Sequence, residues 1–481
     1  MKGMGRQGGS VEDLSHVGRF FGDELHLPDG ERLADWELVK VKDLVDDVVR
    51  EEKWSSAAIA PAPTLLGRIL ERMRYMSDTL LPRVFARFER FVGSAFVGGT
   101  IAALARMTRL AGLNSHKAAL MPSCHKPPPG ASARPQYCAA DFWLFDRISQ
   151  KHGGKFRGSV IANCLLGVAA STALLFSLSP PFGTQFVIER FQLADGSALV
   201  ATGIEFVCIL LIGLIYRRGR TPDQDNRPPP RMSPRLGTQR WHQRWLEYRL
   251  LAERFRYVDL LLPMGTKAVL GMSIAPPAEA GRMWHQRYFE RRLDEVAGAE
   301  RHDAAQAPTQ TVRAYRDHAL AVMAQQEAYH RDNHRRRGAI SHRLHSAGKV
   351  AFFSTLLICA VEIGWHFVRE LHAIATLTPL HTDDFRMTLL FLVGVLPVFS
   401  AATYAIATHA EYAKVADTSA ETFERVHSLY EQLAALPVPD GDVSPTALAS
   451  MQPIVVEFAG IAITEATGWR AMLRDKNVPL A

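Results

Sequence analysis

Four windows of roughly twenty residues are almost free of charge in an otherwise polar chain, and they constrain the fold more than any other feature. They run from Ser159 to Ser179, Gly196 to Tyr216, Val350 to Val368 and Met387 to Thr408. An α-helix needs about 20 apolar residues to cross a hydrocarbon core ~30 Å thick, and all four windows are close to that length. One such window is compatible with a buried soluble helix. Four in two close pairs predict an all-α integral membrane protein built on two transmembrane hairpins. The mean hydropathy of −0.04 conceals this, because the apolar residues are concentrated rather than spread. Ordinary Gly and Pro content excludes collagen-like and wholly disordered classes, and five cysteines in 481 residues make no disulfide framework. The opening MKGMGRQGGS is polar and does not read as a signal peptide.

The placement of Lys and Arg predicts the orientation. Arg147, Lys151, Lys155 and Arg157 precede the first window; Arg217, Arg218, Arg220, Arg227, Arg231 and Arg235 follow the second; Arg331, Arg335, Arg336, Arg337, Arg343 and Lys349 precede the third. The connections inside the hairpins hold only Arg190, Arg369 and Arg386, offset by five acidic residues. Both hairpins are therefore expected to point outward, with both termini cytoplasmic. Between Arg217 and Lys349 stand 25 basic and 14 acidic residues, so the basic character of the chain is largely a topology signal. It gives no reason to expect a nucleic-acid partner.

The hairpins read as an internal repeat. Each follows a polar helix-like stretch, ADFWLFDRISQKHGGKFRG or EAYHRDNHRRRGAISHRLHSAGK, and each precedes an amphipathic helix. Trp241, Trp245, Tyr248, Ala252 and Phe255 recur at helical spacing after the first hairpin; Tyr412, Val415, Ser419, Phe423, Val426, Tyr430 and Leu433 do so after the second. Such stripes suit a bundle or coiled-coil seam, and they suggest a homo-oligomer joined through Trp241, Trp245, Tyr248, Phe255, Phe423 and Tyr430.

The expected organisation is an N-terminal helical cytoplasmic region (1–120), a linker (121–138), a first hairpin repeat with its cytoplasmic helix (139–262) and a helical connector (263–325). A second repeat (326–437) and a C-terminal amphipathic helix (444–481) follow. Asp35 and Thr64 are placed to cap helices in the N-terminal region. FVGSAFVGGTIAALA, inside it, reads as an interfacial or packed helix rather than a fifth crossing, because Arg106 and Arg109 interrupt its continuation.

Within the windows, Glu205 is the tenth of 21 residues and Glu362 is followed one turn later by His366. Ionisable groups at that depth cost a few kcal/mol and tend to face a bundle interior or watery cavity, so these three are candidates for a pore or gate. The plainer alternative is hydrogen-bonded packing glue. Gly167 and Ser171 form a small-xxx-small pair suited to close helix approach, and Pro397 can kink the fourth window.

Cys124, His125 and Cys138 invite a metal reading, but structural zinc wants closely spaced ligand pairs and none adjoins them, so no metal is expected. Cys164, Cys208 and Cys359 lie in the windows as small apolar packers. Arg335, Arg336 and Arg337, just before a membrane helix, are placed to meet anionic lipid headgroups. No Walker loop, dinucleotide turn, nucleophile elbow or paired zinc motif stands out, so neither an enzyme nor a cofactor is expected.

A hairpin framed by a polar helix and by RWLEYRLLAERFR (Arg244 to Arg256) resembles the SLATT family, the SMODS- and SLOG-associating two-transmembrane effectors of prokaryotes. The resemblance covers roughly Ala139 to Leu433 as two tandem copies, and the GWRAML near the end is similar to endings of such chains. It implies an effector in the bacterial inner membrane that forms a pore, or perturbs the bilayer, in a nucleotide-signalled defence system. A SLOG-like sensor would be Rossmann-like, whereas residues 1–150 read as helices and linkers. The sensor is therefore expected to be a separately encoded partner. The other classes in view are a non-conducting scaffold that recruits partners through its helices and, third, a small transporter.

Overall fold

The computed structural model describes residues 65–94, 96–100, 121–131, 138–178, 194–219, 241–264, 284–303, 311–370, 382–437 and 448–473. Their regular structure is all-helical. The helices are α1 (Leu65–Val92), α2 (Ala139–Leu178), α3 (Ala194–Gly219), α4 (Trp241–Arg256), α5 (Val258–Leu261), α6 (Trp284–Asp303), α7 (Val312–Glu370), α8 (Thr382–His409), α9 (Tyr412–Ala435) and α10 (Gln452–Leu473).

Four of these, α2, α3, α7 and α8, contain segments long and apolar enough to cross a membrane. They contain all four apolar windows except Ser179. Two are far longer than a bilayer requires. α7 runs unbroken for 59 residues, about 90 Å at 1.5 Å per residue, so its first half is polar and its second half apolar. α2 does the same over 40 residues. The boundary expected at 325/326 consequently has no break at it; the chain is one helix there.

The polar halves of α2 and α7 form the centre of a helical domain outside the spans. α4 lies along α2 and α9 lies along α7, while α10 packs on α4 and α9. Phe145, Leu251, Phe255, Leu260, Phe289, Tyr315, Met323, Val426, Leu433 and Phe458 belong to one continuous core. The amphipathic stripes are what build it. Trp241, Tyr248, Phe255 and Phe423 are buried within the chain, as is Tyr430, and Trp245 is half-buried beneath the Arg157 guanidinium, 4.6 Å from its ring centroid. The apolar faces on which an oligomer seam was expected are covered by α2 and α7 of the same chain. α10 likewise buries Val455, Phe458 and Ile463 rather than lying free.

In the apolar half the helices pack in a row. α2 contacts α3 and α8, and α8 contacts α7; α3 and α7 share no comparable packing among the described residues. α3 and α7 therefore form the two ends of an open row. Asp35 and residues 101–120 lie outside the described residues, as does Thr64, next to the start of α1.

Candidate functional site

Burial in the spans is low. Inside the chain it covers 33% of the apolar window of α2, 17% of that of α3 and 11% of those of α7 and α8, so most apolar surface faces outward as lipid-facing surface would. Glu205 sits midway along α3, half-buried, among exposed Ile204, Phe206, Val207 and Ile209. Among the described residues it has neither an ion-pair nor a hydrogen-bond partner. Glu362 differs: its Oε1 lies 4.0 Å from Nε of Arg386 on α8. The side chain of His366 is outside the described residues. Gly167 and Ser171 are half-buried on α2, and Pro397 is exposed on an α8 that continues through it.

The basic run before the third window divides by helical phase. Arg335 and Arg336 point outward, whereas Arg337 turns inward and pairs with the buried Glu89 of α1. Arg336 Nη2 approaches the other Glu89 oxygen at 3.6 Å. Burial lowers the Arg337 pKa, against the opposing pull of Tyr412, over whose ring its guanidinium lies at 5.6 Å. Arg343 Nη1 donates to the carbonyl of Val92, at the end of α1, at 2.5 Å and to that of Ser94, which also accepts from the Gly98 N–H, at 2.9 Å. The sequence reading did not single out Glu89, because nothing in its surroundings indicates which basic residue it meets.

Two further charge clusters lie in the helical domain. Fully buried Asp141 accepts from Tyr288 Oη at 2.7 Å and from Arg292 Nε at 3.0 Å. Arg249 bridges Asp146, at 3.1 Å, and Glu253. Burial opposes the Arg249 charge, but Glu253, Tyr329 and Asp146 outweigh it and raise its pKa; the same arginine and Arg256 hold Glu253 below its usual range.

The third constellation carries the most coordination chemistry. Glu327, on the polar half of α7, has no exposed surface. Its Oε2 accepts from the backbone N–H of His125 at 2.8 Å, and its Oε1 lies 2.8 Å from Nδ1 of the same histidine. Nδ1 of His427, on α9, stands 3.4 Å from that Oε1. The rings form a stack, with His125 between Tyr430 at 4.0 Å and His427 at 4.4 Å, and Phe423 5.5 Å beyond His427. His125 therefore meets neither cysteine as a co-ligand: Cys124 Sγ lies 3.7 Å from Arg331 Nη1, and Cys138 is buried in the core, its thiol held far from ionisation by burial and by Asp141. Ligand spacing along the chain missed this set because His125 and Glu327 are 202 residues apart.

Against protein-family models, curated proteins and solved structures, the chain gives no match.

Proposed function

We propose that this chain is a multi-pass protein of the bacterial inner membrane that assembles through its spans into a conducting or bilayer-perturbing effector. The observation that carries the reading is Glu205. A carboxyl in the hydrocarbon core costs a few kcal/mol unless it finds a partner or water, and none of the described residues supplies a partner. It lies on α3, at one end of the open row, where a second copy can dock. Several copies side by side would enclose it in a shared polar interior, which a single row of four helices does not form.

Two other features support the reading. The order of long helix, hairpin partner and returning amphipathic helix occurs twice, as α2–α3–α4 and α7–α8–α9, in keeping with tandem hairpins and with the SLATT resemblance. The Lys and Arg distribution favours a cytoplasmic helical domain. On this reading the signal comes from a separately encoded nucleotide sensor. A non-conducting scaffold is the competing reading, and Glu205 separates the two, since recruitment through cytoplasmic helices has no use for a carboxyl at mid-span.

The test is membrane potential in bacteria after induced expression, with crosslinking of membranes in parallel. Wild type should depolarise cells and crosslink to species larger than a dimer, and Glu205→Gln at equal membrane levels should lose depolarisation. Polarised cells despite full assembly, with and without co-expressed neighbouring genes, would favour the scaffold.

A further inference from the structure

We infer that His125, Glu327 and His427 bind a divalent first-row transition-metal ion, with zinc the best fit. Their ligand atoms all lie within 4.8 Å of one another. Two imidazole nitrogens and one carboxylate oxygen form a donor set suited to zinc and its neighbours rather than to calcium or magnesium, which take oxygen ligands. Tetrahedral zinc with bonds of about 2.0–2.2 Å separates its ligand atoms by about 3.3–3.6 Å. The His427 Nδ1 to Glu327 Oε1 distance, 3.4 Å, already matches that spacing. The 2.8 Å between Oε1 and His125 Nδ1 is a hydrogen bond that must widen slightly to admit the ion. Three protein ligands leave one coordination position for water or another small ligand.

An independent observation points the same way. Nδ1 of His427 is covered from solvent yet makes no hydrogen bond: it faces Glu327 Oε1 at 3.4 Å but out of line. A buried nitrogen left without a partner is costly, and coordination through its lone pair removes that cost. Around it stand the elements of a metal site's outer shell. Glu431 Oε1 lies 3.6 Å from the opposite nitrogen of the His427 ring, and the His125 backbone N–H orients the second Glu327 oxygen. The Tyr430–His125–His427–Phe423 stack restrains both rings, and one of them must tilt for the two lone pairs to converge on the ion.

The ion joins three parts of the chain: the 121–131 segment that leads towards α2, the polar half of α7, and α9. Because α7 is continuous from Glu327 into its span, the site sits on a rigid rod whose apolar segment begins about 35 Å further along. Binding should therefore stiffen the helical domain against the spans. Tyr430 Oη, which donates to the Lys126 carbonyl at 3.2 Å, already holds the segment in the same place.

The experiment is zinc titration of full-length, detergent-solubilised protein, freed of metal by chelator, against a chromophoric zinc competitor. Elemental analysis and circular dichroism accompany it. The 18 histidines give background binding, so the readout is the difference between wild type and variants. Wild type should hold one tight zinc per chain. His125→Gln, on the linker, and His427→Asn should each weaken that site by at least about 100-fold, beyond the 10–100-fold typical of an outer-shell change, with unchanged helix content. Glu327→Gln should do the same, and Cys124→Ser should keep full affinity. Equal zinc binding by wild type and the two histidine variants, no tight site in folded wild type, or loss of zinc in Cys124→Ser would overturn the assignment. None of these results depends on whether the protein conducts.

Discussion

Gly158 of α2 passes so close to Leu81 of α1 that a methyl group on it would fall inside the van der Waals shell of the Leu81 carbonyl oxygen and 3.1 Å from the Leu81 Cα. The obstructing atoms are backbone, so no rotamer change can make room. One turn earlier, Gly154 faces Pro82, whose Cβ would lie 3.1 Å from an added methyl. The crossing of α1 over α2 therefore requires hydrogen at Gly158 and leaves little room at Gly154. Gly158→Ala should force α1 away and cost about 1–3 kcal/mol or more. Gly203→Ala on α3, where an added Cβ meets nothing within 4 Å, should be neutral or mildly stabilising. Thermal unfolding in detergent, with limited proteolysis of α1, measures both; equal melting of the two variants would refute the crossing.

The Asp141 cluster predicts a large stability effect outside the membrane. Burial, reinforced by Asp141 itself, holds the Tyr288 phenol well above its usual range, so it stays a donor at any working pH. Asp141→Ala removes the carboxylate that the phenol and Arg292 Nε share, leaving Arg292 its exposed partner Glu295. Removing one partner of a buried pair costs about 3–5 kcal/mol, and the loss should show as a lower denaturant midpoint in detergent. A change below about 1 kcal/mol would mean that water replaces the carboxylate.

His330 makes the same domain acid-sensitive. Burial pushes its pKa down to about 4; Glu253 acts in the opposite direction, while Arg249 and Arg256 add to the lowering. Glu465 lies 3.6 Å from its Nε2, but burial prevails and the ring is neutral in the folded state. With the folded pKa below the unfolded one, near 6.5, the unfolded chain binds the proton more readily. Stability linked to His330 is thus fully present above about pH 6.5 and declines as pH falls towards 4, by up to roughly 3 kcal/mol. His330→Gln should flatten that part of the stability–pH curve. An unchanged slope in the variant would assign the acid response to other groups.

Phe423 separates a seam from a core. It is fully buried against the same chain and stacks on His427. Phe423→Ala should cost about 3–5 kcal/mol of folding stability and leave assembly at equal folded concentration unchanged. Dissociation of the assembly without destabilisation, seen by light scattering in detergent, would restore the oligomer role.

How far the sequence could be read differs by feature. The spans were legible because hydropathy is a local property: Ser159–Leu178 and Met387–Thr408 need no knowledge of neighbours. The α4 and α9 stripes were legible as faces, since a 3.6-residue period shows that Phe423 and Tyr430 share a side. It does not name what covers that side, and α7 proved to be the cover. The small-residue pair that stands out is Gly167 and Ser171, inside an apolar window. The close approach at Gly154 and Gly158 was harder to see, because Lys155 and Arg157 mask the small-residue pattern. The His125–Glu327–His427 set was illegible, because spacing rules register ligands only when they are near in sequence.

The two membrane carboxylates should behave differently. Glu362 reaches Arg386, but at 4.0 Å and with Arg386 half exposed the pair resembles a surface ion pair, worth about 0–1 kcal/mol. Arg386 also borders the apolar window of α8, so the pair lies towards the α7–α8 connection rather than at mid-span. Glu205 has no described partner and lies at the centre of α3. If the assembly encloses Glu205, Glu205→Gln should abolish depolarisation while Glu362→Gln leaves it within about twofold of wild type. Membrane-potential dye measurements at matched expression decide the matter. The reverse ranking would move the polar path to the α7–α8 side and remove Glu205 from it.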